Sequence, residues 1–157
     1  MRKKRKYTKQ HEPDVKYDKI VISRFINYLM KDGKKSVAET VLYDAFDIIE
    51  KQTKQNPLEV FEKCLDTVSP LQELVSRRVG GANYQVPREV RPERKFFLAC
   101  KWIIDSAASA KGKPMAQKLA EEIILGSKNE GNAIKKKQTV HRMAEANRAF
   151  AHFARPR

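Results

Sequence analysis

Residues 71–91 (LQELVSRRVGGANYQVPREVR) interrupt a chain whose other segments follow a helical period. On both sides of Gly80-Gly81 apolar and polar residues alternate, which predicts two short strands. The glycines and Asn83 supply the permissive backbone that a tight turn between the strands needs. Pro87 cannot donate to a ladder, which suits a ribbon in which every strand is an edge. Because such a ribbon is marginally stable alone, it must pack on helices or lie on a partner.

Three amphipathic helices are expected before the ribbon, from the spacing of their apolar residues. The first covers about residues 19–30, with Asp18 as its capping residue. The second opens on the capping-box pattern of Ser36 and Glu39. The third begins after Asn56, which is followed by a proline at the first helical position, and Pro70 stops it.

Three further helices are expected after the ribbon. The first follows Pro92 and contains Trp102 among apolar neighbours, which predicts a core position for the indole. The next begins at Pro114 and ends at Gly126, in the left-handed position that glycine favours after a helix. The last covers about residues 133–150. The chain is therefore predicted to be mainly α, with about six helices and a two-stranded antiparallel β-ribbon.

The charge of the chain indicates the class of its partner. It carries 33 Lys and Arg residues against 19 Asp and Glu residues, a formal net charge of +14. That excess points to a polyanion, either nucleic acid or an anionic membrane surface. No segment approaches the roughly 18 consecutive apolar residues of a membrane helix. Acidic residues gather between Glu39 and Asp66, so an acidic face and a basic face are expected.

Two regions are distinguished by composition. Residues 1–16 are rich in lysine and poor in apolar residues, and are predicted to be a disordered basic arm. Residues 17–157 are predicted to form a single helical domain that carries the ribbon. No apolar segment follows the basic start, as a secretory signal would require, so a cytosolic protein or one inside an organelle is expected.

Catalytic and metal sites are not indicated by the sequence. The histidines are His11, His141 and His152, and they lack the neighbours that a metal or acid–base motif requires. Cys64 and Cys100 are far apart and do not form a CxxC pair. The stretch GKKS at residues 33–36 lacks the earlier glycine of a phosphate loop, although two lysines before a helix could still hold a phosphate.

Arginines cluster on the ribbon and at its exit. Arg77 and Arg78 are adjacent on a strand and so point to opposite faces. They could contact two phosphates, or one could bind a phosphate while the other packs on the domain. Arginine suits bidentate phosphate contacts, and Tyr84 is available for stacking on a base. The alternative is an edge strand that its charges protect against aggregation.

Three stretches resemble one ribosomal family: SRRVGGANYQVPREVRPER at residues 76–94, VHRMAEANRAFAHF at residues 140–153, and DGKKSVAE at residues 32–39. Together they resemble ribosomal protein seven of the small subunit, in its bacterial or organellar form. The resemblance implies a six-helix bundle with a protruding ribbon and no catalytic site or cofactor. It implies direct binding to the 3′ major domain of small-subunit ribosomal RNA, nucleation of head assembly, and neighbouring small-subunit proteins nine and eleven.

The resemblance also implies site residues. The ribosomal-RNA-facing positions carried onto this chain are Lys34, Lys35, Arg77, Arg78, Arg91, Arg94 and Arg142. The basic pattern adds Arg2, Lys3, Lys4 and Arg5 in the arm, and Lys95 after the ribbon. The resemblance further implies that the protein lies beside the exit-site transfer RNA and the path of departing messenger RNA. The ribbon tip would approach the transfer RNA, with Gly80, Gly81, Ala82, Asn83 and Tyr84 as its residues.

Two other functions stay open on the residues alone. A helical DNA-binding protein would share the charge, but its base-reading side chains should lie on one recognition helix, whereas the basic residues here are spread over loops, ribbon and arm. An RNA-modifying enzyme would need paired acid and base groups or a cofactor motif, and none is visible. Competition between duplex DNA and folded RNA separates the first of these from a ribosomal protein.

Overall fold

A computed structural model describes residues 11–154 of the chain. It confirms a mainly α protein with a two-stranded antiparallel ribbon. The elements in chain order are α1 (Ile20–Leu29), α2 (Lys35–Thr53), α3 (Pro57–Val68), β1 (Gln72–Val79), β2 (Ala82–Glu89), α4 (Pro92–Ser109), α5 (Met115–Ser127), α6 (Asn132–Ala146) and a C-terminal 3-10 helix (Arg148–Ala154).

The chain forms two compact units, and the boundary between them falls inside α2, between Thr40 and Val41. In the first unit, the Asp14 carboxylate accepts the backbone N–H groups of Lys16 and Tyr17, at 3.1 and 3.2 Å. A hydrogen-bonded turn therefore lies within the last residues of the predicted arm. Residues 1–10, with Arg2, Lys3, Lys4 and Arg5, lie outside the described residues.

Helix α1 shows the expected apolar stripe, but its predicted cap is wrong. Ile22, Phe25, Ile26 and Leu29 are buried, at helical spacing. The N-cap is Lys19, whose side chain makes no capping hydrogen bond. Asp18 instead takes a left-handed conformation with φ of 49°. Its backbone N–H donates to the Asp14 carbonyl at 2.9 Å, so Asp18 closes the preceding turn.

The predicted capping box at the start of α2 is also wrong, whereas the cap of α3 is confirmed. Because α2 begins at Lys35, Ser36 already lies inside the helix, where its carbonyl accepts the Thr40 hydroxyl at 3.0 Å. At α3 the Asn56 side chain accepts the Leu58 N–H at 3.0 Å, with Pro57 as the first helical residue. Of the three helix starts before the ribbon, only the cap at Asn56 is therefore confirmed.

The core of the second unit lies among α3, α4, α5 and α6, with the C-terminal part of α2 against α3. Phe46 of α2 meets Phe61 of α3 edge to face, with ring centroids 5.5 Å apart. Trp102 on α4 is only 8% exposed, as its apolar neighbours predict. Other buried members are Leu42, Ile49, Cys64, Val68, Ala99, Ile103, Leu119 and Ile123.

Gly126 does not end α5, as the sequence predicted, but lies buried inside it. The left-handed residue beyond the helix is Asn129, with φ of 64°, and the Glu130 N–H closes the end on the Leu125 carbonyl at 2.9 Å. Gly126 is needed for another reason. A Cβ at this position would lie 2.5 Å from Cys64 Sγ, so the absence of a side chain allows α5 to approach α3.

We expect Gly126→Ala to destabilise the protein by about 1–3 kcal/mol, because the added methyl overlaps the Cys64 sulfur. The direction of the change is informative, because replacing glycine by alanine in a helix interior otherwise stabilises a protein by up to about 1 kcal/mol. Urea unfolding followed by circular dichroism measures the change. The matched control adds Cys64→Ala, which removes the sulfur and should recover part of the lost stability. A double variant no more stable than the single one would contradict the contact.

The last predicted helix divides in two. Helix α6 ends at Ala146, and the chain continues as the C-terminal 3-10 helix from Arg148. Helix α6 is fixed at its start by the buried Glu122 of α5, whose Oε1 accepts the Ala133 N–H at 2.7 Å. A carboxylate next to a helix N-terminus is favourable, because the first N–H groups have no partner within the helix.

The ribbon has the predicted position and a two-residue turn at Gly80-Gly81, with φ of 57° and 92°. Positive φ at both residues is typical of the type I′ turn that matches strand twist. Residues opposite one another share a face of the pair. The inner face, defined here by Val75, Arg77, Tyr84 and Val86, is buried or half-buried; the outer face, Ser76, Arg78, Asn83 and Gln85, is exposed.

Candidate nucleic-acid interface

Lys34 and Lys35 lie at the start of α2 in the first unit, and both are exposed. Asp32 and Gly33 before them adopt left-handed conformations, with φ of 54° and 73°. The Lys34 N–H donates to the Lys31 carbonyl at 3.0 Å and closes the loop. Lys35 Nζ lies 3.7 Å from Glu39 Oε1, an exposed pair that contributes little to stability. Both lysines are therefore exposed at a helix start, where the helix dipole favours an anion.

The paired arginines of β1 have different surroundings. Arg77 on the inner face donates from Nη1 to the Phe153 carbonyl oxygen, at 2.8 Å, and is half-buried. Arg78 on the outer face is exposed, between other polar side chains. Of the two arrangements that the sequence left open, the structure favours the one in which one arginine packs on the domain and the other faces outward.

Tyr84 is not at the ribbon tip. The tip consists of Gly80 and Gly81, whereas Ala82, Asn83 and Tyr84 belong to β2, where Tyr84 lies opposite Arg77. The Tyr84 ring packs on two phenylalanines of the C-terminal 3-10 helix, with centroids 5.1 Å from Phe150 and 5.7 Å from Phe153. Its ring is thus half-buried within the chain's own aromatic cluster rather than open for stacking.

The predicted residues after the ribbon lie at the start of α4. Arg91 is the exposed N-cap residue, in extended conformation. Arg94 Nε donates to Glu73 Oε2 of β1 at 3.1 Å, and its guanidinium lies 4.9 Å from the centre of the Phe97 ring. Arg94 therefore joins the base of the ribbon to α4, with half of its side chain still exposed. Lys95 follows and is half-buried.

Lys137 on α6 is a further basic group near the ribbon base, which is the end of the ribbon opposite the Gly80-Gly81 turn. Lys137 Nζ donates to the Thr67 carbonyl at the end of α3, at 2.5 Å. Burial, and secondarily the positive charge of Lys95, lower the pKa of Lys137. Lys95 on α4 and Lys137 on α6 therefore add positive charge to one region of the molecule. Like charges held together in this way are destabilising alone and are favoured when a polyanion lies between or over them.

His141 also belongs to this region, although the sequence indicated only an exposed or RNA-facing residue. Its Nε2 accepts the Leu71 N–H at 3.1 Å, where the chain enters β1. Burial, and secondarily Lys137, lower the pKa of His141, so the ring is neutral and carries its proton on Nδ1. Protonation would remove the acceptor. This bond therefore contributes stability that is present above the ordinary histidine pKa and is lost as the pH falls.

Beside His141 an open groove of about 770 Å³ separates the ribbon base from α6 and the 3-10 helix. Its charged lining is mixed: Arg88 and Arg148 are offset by Glu89 and Glu145. A polyanion is therefore favoured less inside the groove than over the neighbouring lysines. Arg142, the remaining predicted residue, is exposed on α6, one position after His141 and hence on a different side of the helix.

The structure brings together some of the predicted residues and adds others. Arg94 and Lys95 lie close to the ribbon base, and Lys137 and His141 join them there. Lys137, Phe150 and Phe153 were not among the site residues predicted from the sequence. The spacing of the two phenylalanines, one helical turn apart near a basic end, was a usable signal, but its partner Tyr84 is distant in sequence.

Within residues 11–154, His, Cys, Asp and Glu side chains do not form a group of three that could hold a metal ion. Over the same part of the chain, no helix is long and apolar enough to cross a membrane. The buried thiol of Cys64 has a pKa raised to about 12 by burial, and secondarily by Glu122, which makes it a core residue rather than a nucleophile.

Comparisons with known proteins agree on one family. The family described as Ribosomal protein S7p/S5e matches residues 1–148. The small ribosomal subunit protein uS7 of Elusimicrobium minutum is 57% identical over 142 residues, which cover 90% of this chain and 89% of that protein. The protein of the same name from Thermotoga petrophila is 52% identical over 153 residues, covering 98% and 99% of the two chains.

Proposed function

The chain belongs to the ribosomal protein S7p/S5e family, and from that premise we propose that it binds the 3′ major domain of small-subunit ribosomal RNA directly and nucleates assembly of the subunit head. As a member of this family it is a component of the small ribosomal subunit, acts in translation within a ribonucleoprotein, and is not an enzyme. We also propose that the protein lies near exit-site transfer RNA and the messenger RNA exit path, beside small-subunit proteins nine and eleven.

The observation that carries RNA contact is the basic ribbon base. Burial, and secondarily the positive charge of Lys95, lower the pKa of Lys137, and Arg94 lies beside Lys95 at the start of α4. Like charges in one region repel each other, and a polyanion beside them would reduce that repulsion. Phosphate oxygens between such groups accept charged hydrogen bonds, which are roughly twice as strong as neutral ones.

Within the second unit we propose that Arg78, Arg91, Lys95 and Arg142 contact RNA from exposed or half-exposed positions, with Arg94 contributing the exposed half of its side chain. Lys34 and Lys35 would bind a phosphate at the start of α2. We also propose that residues 17–157 act as one RNA-binding domain, and that the arm of residues 1–16, with Arg2, Lys3, Lys4 and Arg5, adds further phosphate contacts. The ribbon tip would approach the transfer RNA, with Gly80 and Gly81 foremost.

Footprinting of the full chain on small-subunit ribosomal RNA tests the proposed binding site, and we expect protection confined to the 3′ major domain. Arg78→Ala should weaken the affinity for that domain by about 10- to 100-fold, because a charged hydrogen bond contributes about 1.5–3 kcal/mol. Lys63→Ala on α3 is the matched control: it removes an equal charge from an exposed site in the acidic stretch and should change affinity little.

Duplex DNA competing as well as the RNA domain would favour the DNA-binding alternative. Equal losses for Arg78→Ala and Lys63→Ala would show that binding depends on net charge, without a contact at the outer face of the ribbon.

A further inference from the structure

The ribbon packs against the C-terminal 3-10 helix, and one cross-strand pair near the turn takes part in that contact. Arg77 and Tyr84 are opposite one another in the register of β1 and β2. Arg77 donates to the Phe153 carbonyl oxygen at 2.8 Å, and the Tyr84 ring lies 5.1 and 5.7 Å from the Phe150 and Phe153 rings. One pair of ribbon residues therefore makes both a polar and an aromatic contact with the same short helix.

The Arg77–Tyr84 pair lies nearer the turn than two hydrogen bonds at the ribbon base do. At the ribbon base Arg94 donates a hydrogen bond to Glu73, and His141 accepts one from the Leu71 N–H. Arg77 and Tyr84 are only two residue pairs from the Gly80-Gly81 turn. Contacts at the base fix where the ribbon begins, whereas a contact near the turn fixes the direction in which it points.

Neither of the two attached elements is stable alone. A two-stranded ribbon is marginal in water, and a 3-10 helix has poor hydrogen-bond geometry and is seldom long. Phe150 and Phe153 are stacked with an interplanar angle of 11°, so they present two parallel rings to Tyr84. Each element supplies the packing surface that the other lacks.

We propose that the C-terminal 3-10 helix is a latch that sets the direction of the ribbon, with Tyr84 and Arg77 as positioning residues. The latch turns the inner face towards the domain and leaves Arg78 pointing outward. The consequence for RNA binding rests on the proposed function, but the latch itself does not. A latched ribbon loses less conformational freedom when it binds than a free one would.

Hydrogen exchange of the full chain tests the latch directly. Tyr84→Ala should accelerate exchange of the ribbon amides by about tenfold, because aromatic contacts of this kind shift a local equilibrium by roughly that factor. Tyr84→Phe keeps the ring and should exchange as the unchanged protein does. Replacing both Phe150 and Phe153 by Ala should reproduce the Tyr84→Ala result from the other side of the contact.

The same experiment distinguishes a latch from a general stabilising residue. Amides of α3 and α5 should be unaffected by Tyr84→Ala. Faster exchange to the same extent in α3, α5 and the ribbon would overturn the proposal, because Tyr84 would then act on global stability. Unchanged ribbon exchange in Tyr84→Ala would overturn it as well.

A distance measurement provides the second readout. Spin labels on Ala82→Cys beside the turn and Gln117→Cys on α5 report the direction of the ribbon, and the native Cys64 and Cys100 are buried and compete little for the label. We expect one narrow distance distribution, which broadens on adding Tyr84→Ala and is restored by Tyr84→Phe. A distribution equally broad in all three proteins contradicts the latch.

The RNA affinity of the same variants separates this inference from the proposed function. If Tyr84→Ala broadens the spin-label distance distribution but neither Tyr84→Ala nor Arg78→Ala changes the RNA affinity, the latch is supported and the RNA role of the ribbon is contradicted. If Arg78→Ala weakens RNA binding while the distance distribution stays narrow in Tyr84→Ala, the proposed function is supported and the latch is contradicted.

Discussion

The affinity of this chain for the RNA domain should fall by about 10³- to 10⁵-fold between about 50 and 200 mM salt, if about six to ten phosphates are contacted. Each lysine or arginine that neutralises a phosphate releases condensed counterions, and the advantage of releasing them declines as salt rises. Binding measured at several salt concentrations gives the slope of log affinity against log salt. A flat dependence would contradict an electrostatic interface.

Single variants show which charges produce that slope. Replacing Arg78 or Lys34 by Gln should reduce its magnitude by about one for each lost phosphate contact. Lys63→Gln removes the same charge from α3 and should leave the slope unchanged, as should Arg77→Gln if the Phe153 carbonyl holds that guanidinium. If Arg77→Gln reduced the slope as much as Arg78→Gln, both arginines would contact phosphate in the complex.

Trp102→Ala should destabilise the protein by about 3–5 kcal/mol, because it removes a large buried side chain from α4 and leaves a cavity. Urea unfolding should be followed by circular dichroism, since the chain has 1 Trp and the variant lacks that fluorophore. Trp102→Phe should cost less. Lys101→Ala, at the exposed neighbouring position, should change the midpoint little. An unchanged midpoint for Trp102→Ala would mean that the indole is not part of the core.

Periodicity predicted the elements of this fold better than their ends. The apolar stripe of α1 and the alternation of the ribbon depend on burial along a whole element, and both were recovered. Caps depend on one or two torsion angles. Ser36 fits a capping box by type, but α2 begins one residue earlier. Gly126 was interpreted as a helix end because the local sequence does not show that Cys64, on another helix, leaves no room for a side chain there.

The interface was predictable in composition but not in orientation. The sequence located the basic segments, since arginines and lysines cluster there. It could not decide which of Arg77 and Arg78 faces outward, because the partner of Arg77 lies 76 residues away at Phe153. For the same reason it could not show that Tyr84 packs on Phe150 and Phe153, which belong to a distant helix. Lys137 could not be predicted as part of the basic region, because it depends on the packing of α6 beside α4, which brings it under the influence of Lys95.

The close approach of α5 to α3 makes the Cys64 thiol a natural reporter of unfolding. Thiol reagents attack the thiolate, and a buried thiol with its pKa raised to about 12 supplies almost none at neutral pH. Modification must therefore wait until the two helices separate. The labelling rate of the native protein then equals the opening equilibrium constant multiplied by the rate for a free thiol. Cys100, buried on α4, gives an independent reading, so the openings of the core can be measured without an engineered thiol.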